Sequence, residues 1–222
     1  MKKLVAALLL LLPLCGFAET LHFPYNPSLS PDGKTIYFSY DGDIFKVDAD
    51  GGLAVRVISL GGVEGHPKVS PDGKYIAFSS TVHGNSDIYM VPVEGGDVKR
   101  MTWHEGKDVP SGWSRDSKSI YFESNRINIK TTYKVNIGGG TPERLFDHYF
   151  NTIVNVAENP VTGELYFNES GESISFPTRK RYVGEHNPDI KLWNPNRQLY
   201  KQLTDYEGKD TWPMVDKSGN LY

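Results

Sequence analysis

Short apolar runs recur along the chain, and none continues with the period of three to four residues that an amphipathic helix requires. Each run is only a few residues long and rich in β-branched and aromatic side chains, which favour strands. The clearest runs are Ile36-Tyr37-Phe38, Ile76-Ala77-Phe78 and Ile120-Tyr121-Phe122, and weaker ones are Leu165-Tyr166-Phe167 and Leu221-Tyr222. This pattern predicts an all-β protein built from short strands.

A repeated turn motif stands before these runs. Ser30-Pro31-Asp32-Gly33-Lys34 returns forty residues later as Ser70-Pro71-Asp72-Gly73-Lys74, and a degraded copy follows as Ser114-Arg115-Asp116-Ser117-Lys118. Proline presets the first turn position, aspartate suits the second, and glycine accepts the left-handed backbone that follows. Each copy therefore predicts a hairpin between two strands.

A third strand and a glycine pair follow each hairpin. The predicted third strands are Asp43–Val47, Asp87–Val91, Thr131–Val135 and Asp189–Trp193. Glycine pairs close the first three of them at a constant spacing of 44 residues, at Gly51-Gly52, Gly95-Gly96 and Gly139-Gly140. A fourth strand then completes each unit. Four short strands in about 40–45 residues are the pattern of one β-propeller blade.

We therefore predict a β-propeller of four-stranded antiparallel blades that is incomplete in this chain, with about four and a half blades. The predicted blades cover residues 25–60, 65–103, 107–146 and 151–204, and a fifth begins at 208–222. Together they make up a single partial propeller over residues 19–222. Because blades in a ring cover one another, an open arc leaves an apolar face uncovered at each end.

Residues 1–18 are predicted to be a secretory signal peptide. Two lysines open the chain, an apolar stretch runs to Leu14, and Gly16-Phe17-Ala18 has the small-x-small pattern of a cleavage site. The apolar stretch is shorter than the ~20 residues of a membrane-spanning helix. Lipid attachment at Cys15 is disfavoured, because Leu14 stands where a small residue should precede the modified cysteine. We expect cleavage after Ala18 and a periplasmic or secreted product with no membrane segment.

The charge balance excludes one class of partner. The sequence has 24 Lys and Arg against 27 Asp and Glu, a formal net charge of −3, and loss of the signal peptide removes two of the lysines. A nucleic-acid-binding protein would show a basic face, so no nucleic acid is expected as a partner.

Several familiar sites are absent from the sequence. The six histidines show no metal-ligand spacing such as His-Glu-x-x-His, and no cysteine follows the signal peptide. Gly138-Gly139-Gly140 lies at the glycine-pair position, and no Gly-Lys-Ser/Thr sequence follows it, so it predicts a turn and not a phosphate loop. We expect no metal ion and no cofactor. No serine lies in Gly-x-Ser-x-Gly or in a recognisable pair with histidine or lysine, so no catalytic residue is assigned.

The Ser-Pro-Asp-Gly-Lys turns, the Asp-Ile-Tyr strands and the glycine pairs resemble the Pro-Asp propeller repeats of TolB and of tricorn-like serine peptidases. A narrower similarity, to the first propeller of exported tricorn-like peptidases, lies in Arg179-Lys180-Arg181-Tyr182-Val183-Gly184, Asn187-Pro188-Asp189-Ile190, Gln202-Leu203-Thr204 and the segment from Gly208 to Met214. The resemblance implies a longer protein, with further blades, a PDZ-like module and a serine peptidase domain downstream. It places none of the family's catalytic residues on this chain.

The links between blades also repeat. Glu105-Gly106-Lys107-Asp108 recurs as Glu207-Gly208-Lys209-Asp210, and Glu64-Gly65-His66 is a partial copy. The topology puts these links near the channel mouth, on the face that also carries the loops between second and third strands. Their carboxylates could act as acid–base groups or cation ligands, but recurrence in every blade indicates a role in blade geometry. Three aspartates that open equivalent strands are predicted to anchor loops through backbone hydrogen bonds, namely Asp43, Asp87 and Asp189.

An insertion in the fourth blade, roughly residues 169–188, interrupts the repeat on that same face. It carries Arg179, Lys180 and Arg181, which could grip a carboxylate or the C-terminal end of a peptide through charge-assisted hydrogen bonds. A solvated loop, or a contact to a neighbouring domain, would explain the same charges. We predict these three residues as the candidate peptide-binding site.

Three functional hypotheses follow. The first is the propeller of a tricorn-like serine peptidase, which acts in proteolysis as a scaffold or a peptide-access filter, with a peptide or protein substrate reached through the full-length enzyme. The second is a stand-alone periplasmic TolB-like propeller that binds proteins. The third is the propeller of a prolyl-oligopeptidase-like hydrolase. A homo-oligomer is compatible with each of them.

Overall fold

A computed structural model describes residues 20–127, 130–146, 152–169, 184 and 187–222 of the chain. Within these ranges sixteen strands form four sheets, and no residue is helical. Each sheet has four strands in chain order, and each strand is antiparallel to its neighbour. The described part of the chain contains no helix long and apolar enough to cross a membrane. The all-β class predicted from the sequence is confirmed.

The four sheets follow one another along the chain. The first contains β1 (Tyr25–Leu29), β2 (Thr35–Tyr40), β3 (Asp43–Asp48) and β4 (Val55–Ile58). The second contains β5 (Glu64–Val69), β6 (Tyr75–Ser80), β7 (Asp87–Pro92) and β8 (Lys99–Arg100). The third contains β9 (Asp108–Trp113), β10 (Ser119–Ser124), β11 (Thr131–Asn136) and β12 (Glu143–Arg144). The fourth contains β13 (Ile153–Glu158), β14 (Leu165–Glu169), β15 (Ile190–Asn194) and β16 (Leu199–Gln202).

The repeated turn motif forms the predicted hairpin. The Ser30 hydroxyl donates to Asp32 Oδ1 at 2.6 Å and accepts the N–H of Thr35 at 2.9 Å. Asp32 Oδ1 also accepts the N–H of Lys34 at 3.1 Å, and Gly33 has φ +76°. The hydrogen bond from Ser30, followed by the one from the Lys34 backbone, lowers the pKa of the Asp32 carboxyl. Serine and aspartate therefore fix the turn, and glycine supplies its left-handed residue.

The degraded copies keep these hydrogen bonds although the residues change. Ser117 replaces the glycine and still adopts φ +59°. Its hydroxyl accepts the N–H of Asp72 at 3.0 Å, which ties the turn of the third sheet to the turn of the second. In a further hairpin, bridged between Val215 and Leu221, Asp216 accepts two backbone N–H groups at 2.8 Å each. The Asp216 carboxylate thus accepts backbone hydrogen bonds at the position where the other copies have a serine hydroxyl.

In the described ranges the core consists of three apolar clusters, each between two consecutive sheets. In β6, Ile76 and Phe78 pack against the first sheet, while Ala77 between them packs against the third. In β10, Phe122 packs against the second sheet and Tyr121 against the fourth. Because side chains alternate between the two faces of a strand, each second strand supplies both interfaces. This explains why each of these strands contains an uninterrupted apolar run, Ile76-Ala77-Phe78 in β6 and Ile120-Tyr121-Phe122 in β10.

One face of the first sheet is left open. Ile36, Phe38 and Leu53 line a cavity of about 760 Å³ on the side away from the second sheet. In the last hairpin, Lys217 Nζ donates a hydrogen bond to the carbonyl of Pro31, in the first turn. The chain therefore forms an arc whose two ends approach each other at the level of the hairpin turns.

The prediction for the aspartates that open the third strands was wrong. They were expected to bond to the backbone, but among the described residues their carboxylates pair with side chains thirteen positions later, on the fourth strand. The pairs are Asp43 with Arg56 at 3.1 Å, Asp87 with Arg100 at 2.6 Å and Asp189 with Gln202 at 2.8 Å. Both members lie in one sheet, so each pair fixes the register of the two outer strands.

The structure also corrects the alignment of the links. Glu64 was matched to Glu105 by sequence, but its strand partner is Ser80, and the residue that pairs in the same way in the third sheet is Asp108, with Ser124. Glu64 is fully buried and accepts hydrogen bonds from Gly62 N at 3.2 Å and from the Ser80 hydroxyl at 2.7 Å. The structural role predicted for the link carboxylates is confirmed at this position.

Candidate functional site

The candidate site predicted from the sequence, Arg179, Lys180 and Arg181, lies outside the described residues, as do the signal peptide and most of the insertion at 169–188. The three residues therefore remain a prediction.

The first strands of the sheets surround a central cavity of about 770 Å³. Its lining includes Asn26 from β1, residues 109–113 from β9 and residues 155–158 from β13. Residues 212–215, which lead into the last hairpin, complete the wall. Because successive sheets supply the lining, the cavity occupies the position of the central channel of a propeller.

Bulges in the first strands turn particular side chains into this wall. His66, Asn155 and Trp212 occupy equivalent positions and have φ between +55° and +58°. The His66 N–H donates to the Ser39 hydroxyl at 3.1 Å, and the Asn155 N–H donates to Glu123 at 3.0 Å. In each case the acceptor lies on the second strand of the preceding sheet. These bonds compensate for the ladder bonds that a bulge disrupts, and they hold each bulge against its neighbour.

His66 is the central titratable group of the cavity. Its Nδ1 lies 3.2 Å from the Ser79 hydroxyl. Burial, followed by the positive charges of Lys107, Lys68 and Lys130, lowers the pKa of His66 to about 4. The imidazole is therefore neutral at pH 7. Three lysine ammonium groups thus lie close enough to His66 for their charges to act on its ring.

The three lysines differ in depth. Lys107 is exposed in the link before β9, and Lys130 lies just before β11 on the same face. Lys68 is half-buried, two residues beyond His66 along β5. Lys68 and Lys130 line the central cavity, whereas Lys107 is not part of its lining. Burial lowers the pKa of the Lys68 ammonium, and Glu123 opposes that effect.

One of these lysines is neutralised and two are not. Lys130 Nζ lies 2.5 Å from a carboxylate oxygen of Glu123. Within the described residues neither Lys68 nor Lys107 has an ion pair. The region around His66 therefore carries excess positive charge, although the whole chain is acidic.

The opposite end of the cavity is acidic but internally paired. Glu158, at the last position of β13, accepts the Tyr121 hydroxyl at 2.6 Å and the Arg115 N–H at 3.1 Å. The Arg115 guanidinium lies 3.7 Å from the same carboxylate. Burial, followed by the Glu158 contact, raises the pKa of the Tyr121 hydroxyl. This end is a structural network that joins the third and fourth sheets.

No serine is recognisably paired with a histidine in the sequence, but in the fold Ser79 and His66 lie in contact. The Ser79 hydroxyl is buried and donates to the carbonyl of Gly65 at 3.1 Å. A nucleophilic serine must instead give its proton to the histidine and face the substrate. The pair therefore supports the bulge. Among the described residues no three His, Cys, Asp or Glu side chains come together as metal ligands.

Sequence reasoning missed the cavity lysines because they occupy different positions of the repeat: a link, a first strand and the loop before a third strand. The bulge residues did carry a signal. Asn26, His66 and Asn155 are polar residues at one repeat position, inside strands that are otherwise largely apolar or small.

A family model for the tricorn protease N-terminal β-propeller domain matches residues 23–222 of the chain. The chain belongs to this tricorn propeller family. Tricorn protease homolog 1 of Streptomyces coelicolor is 35% identical to the chain over 68 residues, which are 31% of this chain and 6% of that relative. The chain thus spans only a small part of the tricorn homolog.

Two solved structures have the same fold as this tricorn propeller. The tricorn protease superposes with a TM-score of 0.70 at 19% identity, over 88% of this chain and 20% of that one. TolB from Acinetobacter baumannii superposes with a TM-score of 0.61 at 22% identity, over 88% of this chain and 47% of that one. Both confirm the predicted propeller of four-stranded blades, which is incomplete in this chain.

Proposed function

We propose that the chain is the non-catalytic propeller segment of an exported, tricorn-like serine peptidase, where it serves as a scaffold and as a filter for peptide access. The observation that carries the proposal is the central cavity in a chain of the tricorn propeller family. Its volume of about 770 Å³ lies in the range of small-ligand sites, roughly 300–1,000 Å³. An extended peptide segment fits such a space, whereas a folded domain does not.

Filtering is tested by narrowing the cavity in the complete protein. Ala157, on β13, lines the cavity, and Val161 is exposed on a turn outside it. We expect Ala157→Trp to lower kcat/KM for long peptides more than for dipeptide substrates. Val161→Trp adds the same side chain to the surface and should leave the ratio of kcat/KM for long peptides to kcat/KM for dipeptides unchanged. If Ala157→Trp also leaves this ratio unchanged, the filter is refuted.

The absence of catalysis by this segment is tested separately. The purified chain should not hydrolyse a panel of fluorogenic peptides. The Ser79→Ala variant tests whether Ser79, which contacts His66, acts as a nucleophile. Turnover by the chain that this variant abolishes would show that the segment is itself a hydrolase.

Export and the predicted binding residues have their own tests. The intact mass of the exported protein should correspond to a chain that begins at Glu19, and a lipidated mass that begins at Cys15 would contradict the proposal. Replacing Arg179, Lys180 and Arg181 by alanine in the complete protein should raise KM for peptides with a free C-terminus more than for their amides. Light scattering of the same protein determines whether it forms a homo-oligomer.

The similarity to TolB supports a second candidate, a propeller that binds proteins without an attached peptidase. The two candidates differ in one observable. A peptidase segment changes peptide turnover when its cavity is narrowed, whereas a TolB-like propeller retains a protein partner and is found with no peptidase activity.

A further inference from the structure

The bulge residues of the first strands form a ring around the central cavity. Asn26, His66, Asn155 and Trp212 all line the cavity, and all have a left-handed backbone with φ between +51° and +58°. In the third sheet Pro110 has the same place and also lines the cavity, but its side chain is apolar. Because the four residues occupy one position of the repeat, they lie at one level of the channel. Four uncharged side chains thus surround one cross-section of the channel.

The fold holds this ring in place. The Trp212 backbone N–H donates to Asn168 Oδ1 at 3.2 Å, and the Asn155 side-chain amide donates to the same oxygen at 3.1 Å. Asn168 is fully buried, on the second strand of the fourth sheet. The positions of Asn155 and Trp212 are therefore fixed before any ligand arrives, which reduces the entropy that binding costs.

The polar ends of the ring have hydrogen-bonding capacity to spare. Asn155 uses its amide N–H in the bond to Asn168, so its Oδ1 is a spare acceptor. The Ser79 hydroxyl donates to a backbone carbonyl and therefore accepts from His66 Nδ1, which leaves His66 Nε2 as an acceptor. Among the described residues, the Asn26 amide and the Trp212 indole N–H have no hydrogen-bond partner. These side chains are half-buried or exposed, and within the described ranges none of their atoms is a closed-off polar atom without a partner.

We propose that this ring binds a pyranose sugar that lies across the channel. A sugar hydroxyl both donates and accepts hydrogen bonds, as a serine hydroxyl does. Hydroxyl groups of the sugar can donate to His66 Nε2 and Asn155 Oδ1. They can also accept from the Asn26 amide and from the Trp212 indole N–H. This binding activity goes beyond the peptide filter and uses no charged side chain.

The arrangement at one level favours a ring-shaped ligand over a peptide. An extended peptide rises about 3.3 Å per residue and presents one N–H and one C=O at each residue. A peptide that runs along the channel therefore brings few polar groups to any one cross-section. A pyranose carries its hydroxyl groups around the rim of one ring, and its C–H groups suit the apolar surfaces of Trp212 and Pro110.

Titration calorimetry of the complete protein tests the proposal with three neutral probes, methyl α-glucoside, methyl α-galactoside and methyl α-mannoside. We expect at least one of them to bind. Its affinity should change less than about twofold as salt rises from roughly 50 to 500 mM, because the contacts involve no charge for ions to screen. Acetyl-Gly-Gln-Gly amide is the peptide probe and should bind at least about tenfold more weakly than the preferred glycoside.

Variants locate the binding. Asn26→Gly and Asn155→Gly each remove one amide and keep the left-handed backbone, which glycine adopts without strain. Each should lower the affinity for the preferred glycoside about fivefold, because hydrogen bonds between uncharged groups are lost. Trp212→Phe keeps an aromatic ring, removes the N–H and should have a similar effect. Asn26 makes no side-chain hydrogen bond in the described part of the chain, so its variant tests the site even if Asn155→Gly fails to fold.

Gln198→Gly is the matched control. Gln198 is an exposed amide with φ +49° in the turn between β15 and β16, and it lies outside the cavity lining. Its replacement by glycine should leave the affinity for the glycoside unchanged.

Four results would overturn the sugar site. The first is a heat of dilution alone with all three glycosides, and the second is an affinity that falls steeply with salt. The third is an equal loss in Gln198→Gly and Asn26→Gly, which would place the binding outside the ring. The fourth is a peptide amide that binds as tightly as the glycoside and is weakened by the same variants. The peptide filter is judged independently, by the turnover ratio of Ala157→Trp.

Discussion

Replacing Gly62 by alanine should destabilise the protein through one close contact between consecutive sheets. A Cβ at this position would lie 2.5 Å from Val82 N and 2.9 Å from the Thr81 carbonyl carbon. Both are backbone atoms, which cannot rotate away as the end of a side chain can. Gly62 does not have a positive φ, so alanine is excluded here by space and not by conformation. Gly106 has the same place in the next link and meets the backbone of Arg126 at 2.9 Å.

The size of the effect follows from two opposed contributions. Inserting a methyl group into a packed site costs about 1–3 kcal/mol. The substitution also reduces the conformational freedom of the unfolded chain, which stabilises the fold by roughly 0.4–1 kcal/mol. Displacing the link weakens the hydrogen bond from Gly62 N to the buried Glu64 carboxylate as well. We expect a net loss of about 2 kcal/mol, or roughly 4–8 °C in Tm for a chain of this size.

Gly65 provides the matched control, three residues away. Its Cβ would meet the Ser39 hydroxyl at 3.6 Å and the Ser79 hydroxyl at 3.8 Å, which are ordinary contacts. We expect Gly65→Ala to change the free energy of unfolding by less than about 0.5 kcal/mol. Thermal melts and urea titrations of both variants measure the difference. If the two variants melt at the same temperature, the close approach at Gly62 does not limit the packing of the sheets.

Two further predictions concern charge. The pKa of His66, about 4, lies below the ordinary 6.5, so the unfolded chain takes up its proton first as the pH falls. The free energy of unfolding should drop by about 2 kcal/mol between pH 6.5 and 4, allowing for partial solvent screening. Urea titrations at the two pH values should show a smaller drop for the His66→Asn variant. The control variant His22→Asn changes an exposed histidine and should show the same drop as the parent protein. The Asp87 side chain is fully buried where it pairs with Arg100, whereas Asp43 pairs with Arg56, whose side chain is 60% exposed. Asp87→Asn should therefore cost about 3 kcal/mol in urea unfolding and Asp43→Asn less than about 1, and equal costs would contradict the assigned burial.

The sequence was most informative where a residue type has one conformational use. Gly33 identified the hairpin because few other residues adopt its φ of +76°. Short runs of β-branched and aromatic residues identified the second strands, which are buried at consecutive positions. The link alignment failed because matching residue types made Glu64 equivalent to Glu105, whereas strand pairing shows that Glu64 is equivalent to Asp108. The two alignments differ by three residues, and such an offset in a short link is invisible until the partner strand is known.

The candidate site was less predictable, for a physical reason. Lys68, Lys107 and Lys130 are separated in sequence and become neighbours only when the second and third sheets pack. Each lysine alone has the appearance of a solvated surface residue. The absence of an ion pair at two of them depends on the positions of all the acids around the cavity, which a single sequence does not supply.

The thirteen-residue pairs between third and fourth strands make each sheet a unit that can be copied whole. Asp87 and Arg100 lie on one short stretch of chain, and so do Asp43 and Arg56. A gene duplication whose boundary falls in a link, between β4 and β5 for example, carries both partners together and leaves no buried charge alone. A boundary between the third and fourth strands would separate them. The placement of these pairs thus favours growth of the array in steps of one complete sheet, and it marks the links as the positions where an added blade disturbs the others least.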